Sequence, residues 1–266
     1  MTHLQQEAKM IAKKYKQPML ITLLYISLYI SFRDLMVELL PVFSLAILLF
    51  TIGIRHAEVK LGLDVVDENT VIPQNEAMYG VSVVKQIFST YFWIEVIIFI
   101  ILIVCVFGII LITLPYFTEM YALILSEMEY GIDTTFVQFL NLVLMISNVG
   151  TVVSEIFFNT FFFSAPYILE TKNIKGLKAI KEAYKVQKGH YFEVLKELGI
   201  YYAFMFIFAC IRFLISYFVS EAIIYSLLDI LVSLGAILLY ESQYVVCKTL
   251  LYKKISEEKN YDFTNN

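Results

Sequence analysis

The sequence predicts an all-α polytopic membrane protein, and three observations carry that reading. The chain is 59% hydrophobic and only 17% charged, with a mean hydropathy of +0.74, whereas soluble domains average about 45–50% apolar and about 25% charged residues. Its apolar residues fall into six runs near the roughly 20 residues a membrane helix needs. Its basic residues collect between alternate runs, as a consistent membrane orientation requires. Cys105, Cys210 and Cys247 lie in or beside apolar runs, with neither metal nor disulfide spacing, and read as small hydrophobes.

The first span, residues 18–32, is short and follows a lysine-bearing N-terminal segment. No small-residue cleavage site follows it, so it reads as a retained span rather than a signal peptide. The second, 35–54, contains Pro41, and the third, 91–114, stops at Pro115. The fourth apolar segment, 134–168, is too long for one crossing and must tilt, break near Gly150 or project into water. The fifth and sixth occupy 198–219 and 222–247. Together these make one six-span domain over 1–253, followed by a polar tail, 254–266, expected to fray.

With the N-terminus inside, all but Arg33 and Arg212 of the 20 basic residues lie on the cytoplasmic side. This predicts cytoplasmic N- and C-termini in a multi-pass cell-membrane protein. The longest outer loop, 116–133, carries Glu119, Glu127 and Glu129 but no Lys or Arg. Its apolar residues predict a helix on the outer surface, ended by Gly131, with Asp133 capping the next span.

The most basic stretch runs from Asn173 to Leu198. With Asn173 as N-cap, Lys175, Lys178, Lys181, Lys185 and Lys188 share an arc of roughly 140°. Leu177, Ile180, Ala183, Tyr184 and Tyr191 share an adjoining arc of roughly 120°. Such an amphipathic helix lies in the membrane interface, its lysines among anionic headgroups and its apolar side in the acyl boundary. Topogenic retention, anionic-lipid contact and docking of another membrane protein all fit. Nucleic-acid binding does not, since arginines and a stacking platform are lacking.

"SAPYILETKNIKGLKAIKEAYKVQKGHYFEVL", residues 164–195, resembles the signature of the glycerophosphodiester phosphodiesterase membrane-domain superfamily through Pro166, Ala179, Lys185, Lys188, Gly189, Tyr191 and Phe192. Ala183 and Tyr184 stand where that group commonly has Ser-Trp. "EAKMIAKKYKQPMLITLL" near the N-terminus is similar to the opening of related bacterial membrane proteins. The resemblance implies a membrane-domain architecture without the hydrolase, which in that group belongs to a separate soluble domain. "NEAMYGVSVVKQIFSTYFWIEV" echoes the basic stretch, with Asn75 as a cap, and raises a tandem repeat of span, surface helix, span.

In the fourth segment Asn141, Asn148, Glu155 and Asn159 fall within roughly 40° of one another, with Gln138 and Thr151 beside the row. Such a row must face protein or water, as a hydrogen-bonded packing seam, a hydrophilic pathway or, at Glu155, a catalytic carboxylate. Arg212 and Asp229 stand at equal distances from a turn at Ser220–Glu221, which predicts an ion pair at equal depth in the hairpin of the fifth and sixth spans. Glu95 is read as snorkelling, with Trp93 and Tyr91 in an interfacial belt; Glu241, Tyr244 and Lys248 are read as anchors and His190 as a headgroup contact. Zinc spacing, a nucleophile elbow and a phosphate loop are all missing, so neither cofactor nor catalysis is expected. The favoured function is a non-catalytic accessory or regulatory component of an envelope, export or lipid-handling system. The alternative is a small-solute or ion transporter or channel using the polar row.

Overall fold

The computed structural model describes residues 1–39, 44–128, 150, 152–218 and 222–264. Pro41, Asn141, Asn148, Gln138, Thr151, Gly131, Asp133 and the Ser220–Glu221 turn therefore lie outside the described residues. The described chain is all-helical: α1 (His3–Lys14), α2 (Lys16–Leu39), α3 (Ser44–Val66), α4 (Pro73–Ser82), α5 (Val84–Met128), α6 (Val152–Phe162), α7 (Ala165–Lys172), α8 (Leu177–Gln187), α9 (Tyr191–Phe218), α10 (Ala222–Ala236), a π-helix (Ile237–Glu241) and α11 (Ser242–Thr264). Val84–Cys105, Tyr191–Ile215 and Leu227–Lys259 are long and apolar enough to cross a membrane. The pair α6 and α7, bent by 46°, makes a fourth if it is one span.

Several boundaries depart from the sequence reading. Helix α2 is 24 residues long and runs on past the expected end of the first span at 32 to Leu39. Helix α5 continues through position 115 to Met128, because a proline removes one donor and neighbouring groups in a membrane helix can re-satisfy what it frees. The part of the presumed outer loop described here is thus the same helix. Among its described residues the fourth segment bends at Phe163–Ser164, with Pro166 in the first turn of α7, where its missing donor costs nothing; the neighbours of Gly150 lie outside the described residues. The presumed tail is helical to Thr264, since Leu251, Tyr252 and Ile255 are buried.

Helix α3 sits at the centre, packed against α2, α4, α5, α7 and α11. Its contact with α4 is backbone to backbone. A Cβ at Gly80 would stand 1.8 Å from the Gly53 carbonyl oxygen, and one at Gly53 would stand 2.7 Å from Val81 N. Small residues permit this approach between helices. Helix α1 opens with a capping box in which the Thr2 side chain accepts from Gln5 N and the Gln5 side chain accepts from Thr2 N; it packs against α11. Three times a short helix leads into a long one: α1 into α2, α4 into α5, α8 into α9. The second of these is capped by Ile72, not Asn75.

Candidate functional site: a charged interior

The apolar spans carry charges on the faces they turn toward one another. Ser27 of α2, Glu155 of α6, Arg212 of α9, Ser233 of α10, and Tyr240 and Glu241 of the π-helix line a cavity of about 390 Å³. Arg212 Nε donates to Asp229 Oδ1 at 2.8 Å and Arg212 Nη2 to Ser233 Oγ at 2.7 Å. Asp229 and Ser233 are four residues apart and so share one face of α10. Where α10 meets the π-helix, Ser242 Oγ donates to the Ile237 carbonyl, five residues back, at 3.4 Å. The wider turn re-aims the helix, and such insertions often mark functional sites. Glu241 lines the cavity instead of anchoring the span at its end.

Beyond the cavity the charges continue between α3, α5, α6 and α11. Glu58 lies within electrostatic reach of Lys248, Arg55 and Glu155. Lys248 Nζ donates to Asn159 Oδ1 at 2.8 Å, so Lys248 is an interior partner of the polar row and not an anchor. Glu95 does not snorkel but pairs with Arg55. Arg55 pairs with Glu95 and Arg212 with Asp229, and Lys248 lies within electrostatic reach of Glu58 and Glu155, so among the described residues of this interior Arg55, Arg212 and Lys248 are outnumbered by Glu58, Glu95, Glu155, Asp229 and Glu241. Each ionised group brought out of water unpaired costs several kcal/mol. The surplus of carboxylates therefore calls for protons or a bound cation.

A second polar cluster lies at the corner of α3, α4 and α7. Fully buried His56 has its Nδ1 3.1 Å from the Tyr91 hydroxyl and its Nε2 2.9 Å from Glu170 Oε2. The Tyr79 hydroxyl donates to Glu170 Oε1 at 2.7 Å. Asp64 Oδ1 accepts from Lys60 Nζ at 2.8 Å and from Asn69 Nδ2 at 2.9 Å. Burial, then the neighbouring Asp64, push the Glu76 carboxyl up to about 7. Burial and the hydrogen bond to Glu170 raise the Tyr79 phenol as well. The sequence reading missed this cluster, although His56, Lys60 and Asp64 follow one another at four-residue spacing along one helix face, which is a legible signal.

Helix α8 differs from its expected form. Asn173 is not its N-cap but the left-handed C-cap of α7 (φ 52°); α8 begins after Gly176 (φ 63°), whose N–H donates to Thr90 Oγ1 at 2.8 Å. Lys175 therefore precedes the helix and Lys188 caps its end. Lys175, Lys178, Lys181, Lys185 and Lys188 are all exposed, as are Leu177 and Tyr184. Ala179, Ile180, Ala183 and Val186 instead bury against protein, on a helix packed against α5, α7 and α11. The apolar arc is thus split rather than wholly offered to lipid. Gln187, fully buried, spans the bend of the fourth segment: its Oε1 accepts from Ser164 N and Oγ at 3.2 and 2.9 Å, and its Nε2 donates to Thr160 O at 2.9 Å. His190 is not a free headgroup contact, since its Nδ1 lies 3.0 Å from Glu193 and 3.7 Å from Glu258, with Lys254 also paired to Glu193. These form a surface ion network. No family model, curated protein or solved structure matches the chain.

Proposed function

We propose that the protein crosses the cell membrane six times, with both termini cytoplasmic, and binds and passes a small cation through its charged interior. The carrying observation is the excess of carboxyl groups in this interior, where among the described residues Arg55, Arg212 and Lys248 face Glu58, Glu95, Glu155, Asp229 and Glu241, with Glu155 and Glu241 lining the cavity. A structural seam would balance its charges; among the described residues this interior carries more carboxyl groups than cations. The bent fourth segment and the π-turn support the same reading, because broken helices at an internal cavity are how transporters expose polar groups within a bilayer. The distribution of lysines and arginines supports the orientation. In this role Glu155 and Glu241 hold the cation, the Arg212–Asp229 pair fixes α9 against α10, and Asn159 orients Lys248. The exposed lysines of α8 and its flanks sit among anionic headgroups. The likeness of residues 164–195 to the glycerophosphodiester phosphodiesterase membrane-domain superfamily fits a membrane domain without catalysis of its own.

The test is flux in proteoliposomes. Wild-type protein is expected to dissipate an imposed proton, alkali-cation or small organic-cation gradient faster than empty vesicles, and Glu155→Gln with Glu241→Gln to slow it. Flux indistinguishable from empty vesicles across that panel would sink the reading and leave an accessory role, for which the exposed lysine surface provides the docking site.

A further inference from the structure

The α3–α4–α7 corner holds three carboxyl groups, Asp64, Glu76 and Glu170, around one ammonium, Lys60. Two of the three have settled partners. Glu170 receives His56 and Tyr79 on its two oxygens, and Asp64 receives Lys60 and Asn69. Glu76 is different. It is only 8% exposed, it lies within electrostatic reach of Asp64 and Lys60, and its Oε2 is buried with no partner among the described residues.

A buried carboxyl with an unpartnered oxygen, close enough to a second carboxyl to feel its charge, is costly to ionise and favours keeping its proton. We infer that Asp64 and Glu76 form a proton-binding site that holds α4 onto α3 when occupied and loosens it when empty. The charged and titratable groups facing Glu76 are Lys60 and Asp64 from α3, Glu170 from α7 and, on α4 itself, Tyr79. Lys60 is hydrogen-bonded to Asp64 and lies over the Tyr79 ring, so it reaches Glu76 only at a distance and cannot neutralise both carboxylates. Loss of the proton therefore leaves two adjacent buried anions, one of which has no donor on Oε2. The site is apart from the cavity. It bears on the rest of the fold because α4 leads into α5 through Val83 alone, and α5 carries Glu95, the partner of Arg55.

The sign follows from the proton balance. A carboxyl raised from 4.5 to about 7 in the folded protein binds its proton more tightly there than in the unfolded chain. Its contribution to stability is fully present below the unfolded value and is lost as pH rises through about 7. The experiment is thermal unfolding of the full chain in detergent between about pH 5 and pH 8.5, paired with hydrogen exchange of the α4 amides. The wild-type midpoint is expected to fall by a few degrees over this range, with α4 exchange accelerating. Glu76→Gln should flatten both responses, because its amide is neutral at every pH. Asp64→Asn removes the same repulsion and should flatten them too; it decides the matter if Glu76→Gln yields no folded protein. Wild-type pH slopes retained in the folded variant would overturn the inference.

Discussion

Helices α4 and α8 occupy the same place in the chain's rhythm, each a short helix leading into a long apolar one, yet they are held by opposite means. Helix α4 is pressed onto α3 through the backbone contact of Gly80 with Gly53 and carries a buried acid, Glu76. Helix α8 keeps its lysines outside, sets Ala179 and Ala183 inward, and reaches into the fold with one amide, Gln187. The first is positioned by shape and by a proton, the second by a hydrogen-bonding side chain at a break. Position in the chain therefore decides where such a helix lies, and its few buried polar groups decide what it controls.

The largest effect expected from breaking this contrast is at Gly80. In Gly80→Ala the new methyl meets the Gly53 carbonyl, a main-chain atom that cannot rotate away, and the loss should reach about 4 kcal/mol or abolish folding. Gly199 of α9 has open space around its missing Cβ, so Gly199→Ala should be neutral or stabilising by about 0.5–1 kcal/mol. Thermal midpoints in detergent compare the two, and equal losses would show that α4 is not held by close approach. Next is Gln187→Leu, which keeps the bulk but strands the Ser164 N–H and the Thr160 carbonyl. Two buried groups without partners should cost about 2–4 kcal/mol, and a wild-type melting temperature would mean that α8 does not secure the bend.

A pair outside both helices sets the scale between these effects. A double-mutant cycle on Arg212→Leu and Asp229→Leu should show a coupling of about 1 kcal/mol, and strict additivity would dissolve the pair's role in registering α9 against α10. The smallest change in stability is expected at the lysines. Replacing Lys175, Lys178, Lys181, Lys185 and Lys188 by Gln should alter stability by no more than about 0.5 kcal/mol per site. It should still reduce retention of anionic lipid through purification, read by mass spectrometry. Unchanged lipid together with lost stability would reverse the reading of α8.

The helical class and the apolar runs could be read because a membrane-spanning segment must be apolar over most of its length. The row Glu155–Asn159 and the equal-depth pair Arg212–Asp229 were legible for the same reason, since a charge within an apolar run is conspicuous. The corner at His56 is hard to read despite its visible spacing, because Arg55 and Lys60 also suit orienting charges at a span's end. Gln187 could not have been found. Its role exists only because the fourth segment bends at Phe163–Ser164, and nothing in an isolated glutamine says which broken helix it will bridge. Glu76 was hidden for a related reason: its burial comes from two glycines that let α4 sink onto α3. Asn173 misled because asparagine suits an N-cap and a left-handed C-cap alike.

The packing of α1 has a consequence for how the protein is made. Buried Gln5 donates to the Glu197 carbonyl at 2.9 Å, and α1 rests on α11, which follows α9 in the chain. At about 5–20 residues per second, α1 leaves the ribosome roughly 10–40 s before its partner on α9 is synthesised. Throughout that interval an amphipathic segment must wait at the membrane surface with its binding face uncovered. Docking of α1 therefore cannot precede the synthesis of α9 and α11, and any factor that shields a waiting surface helix would favour correct assembly.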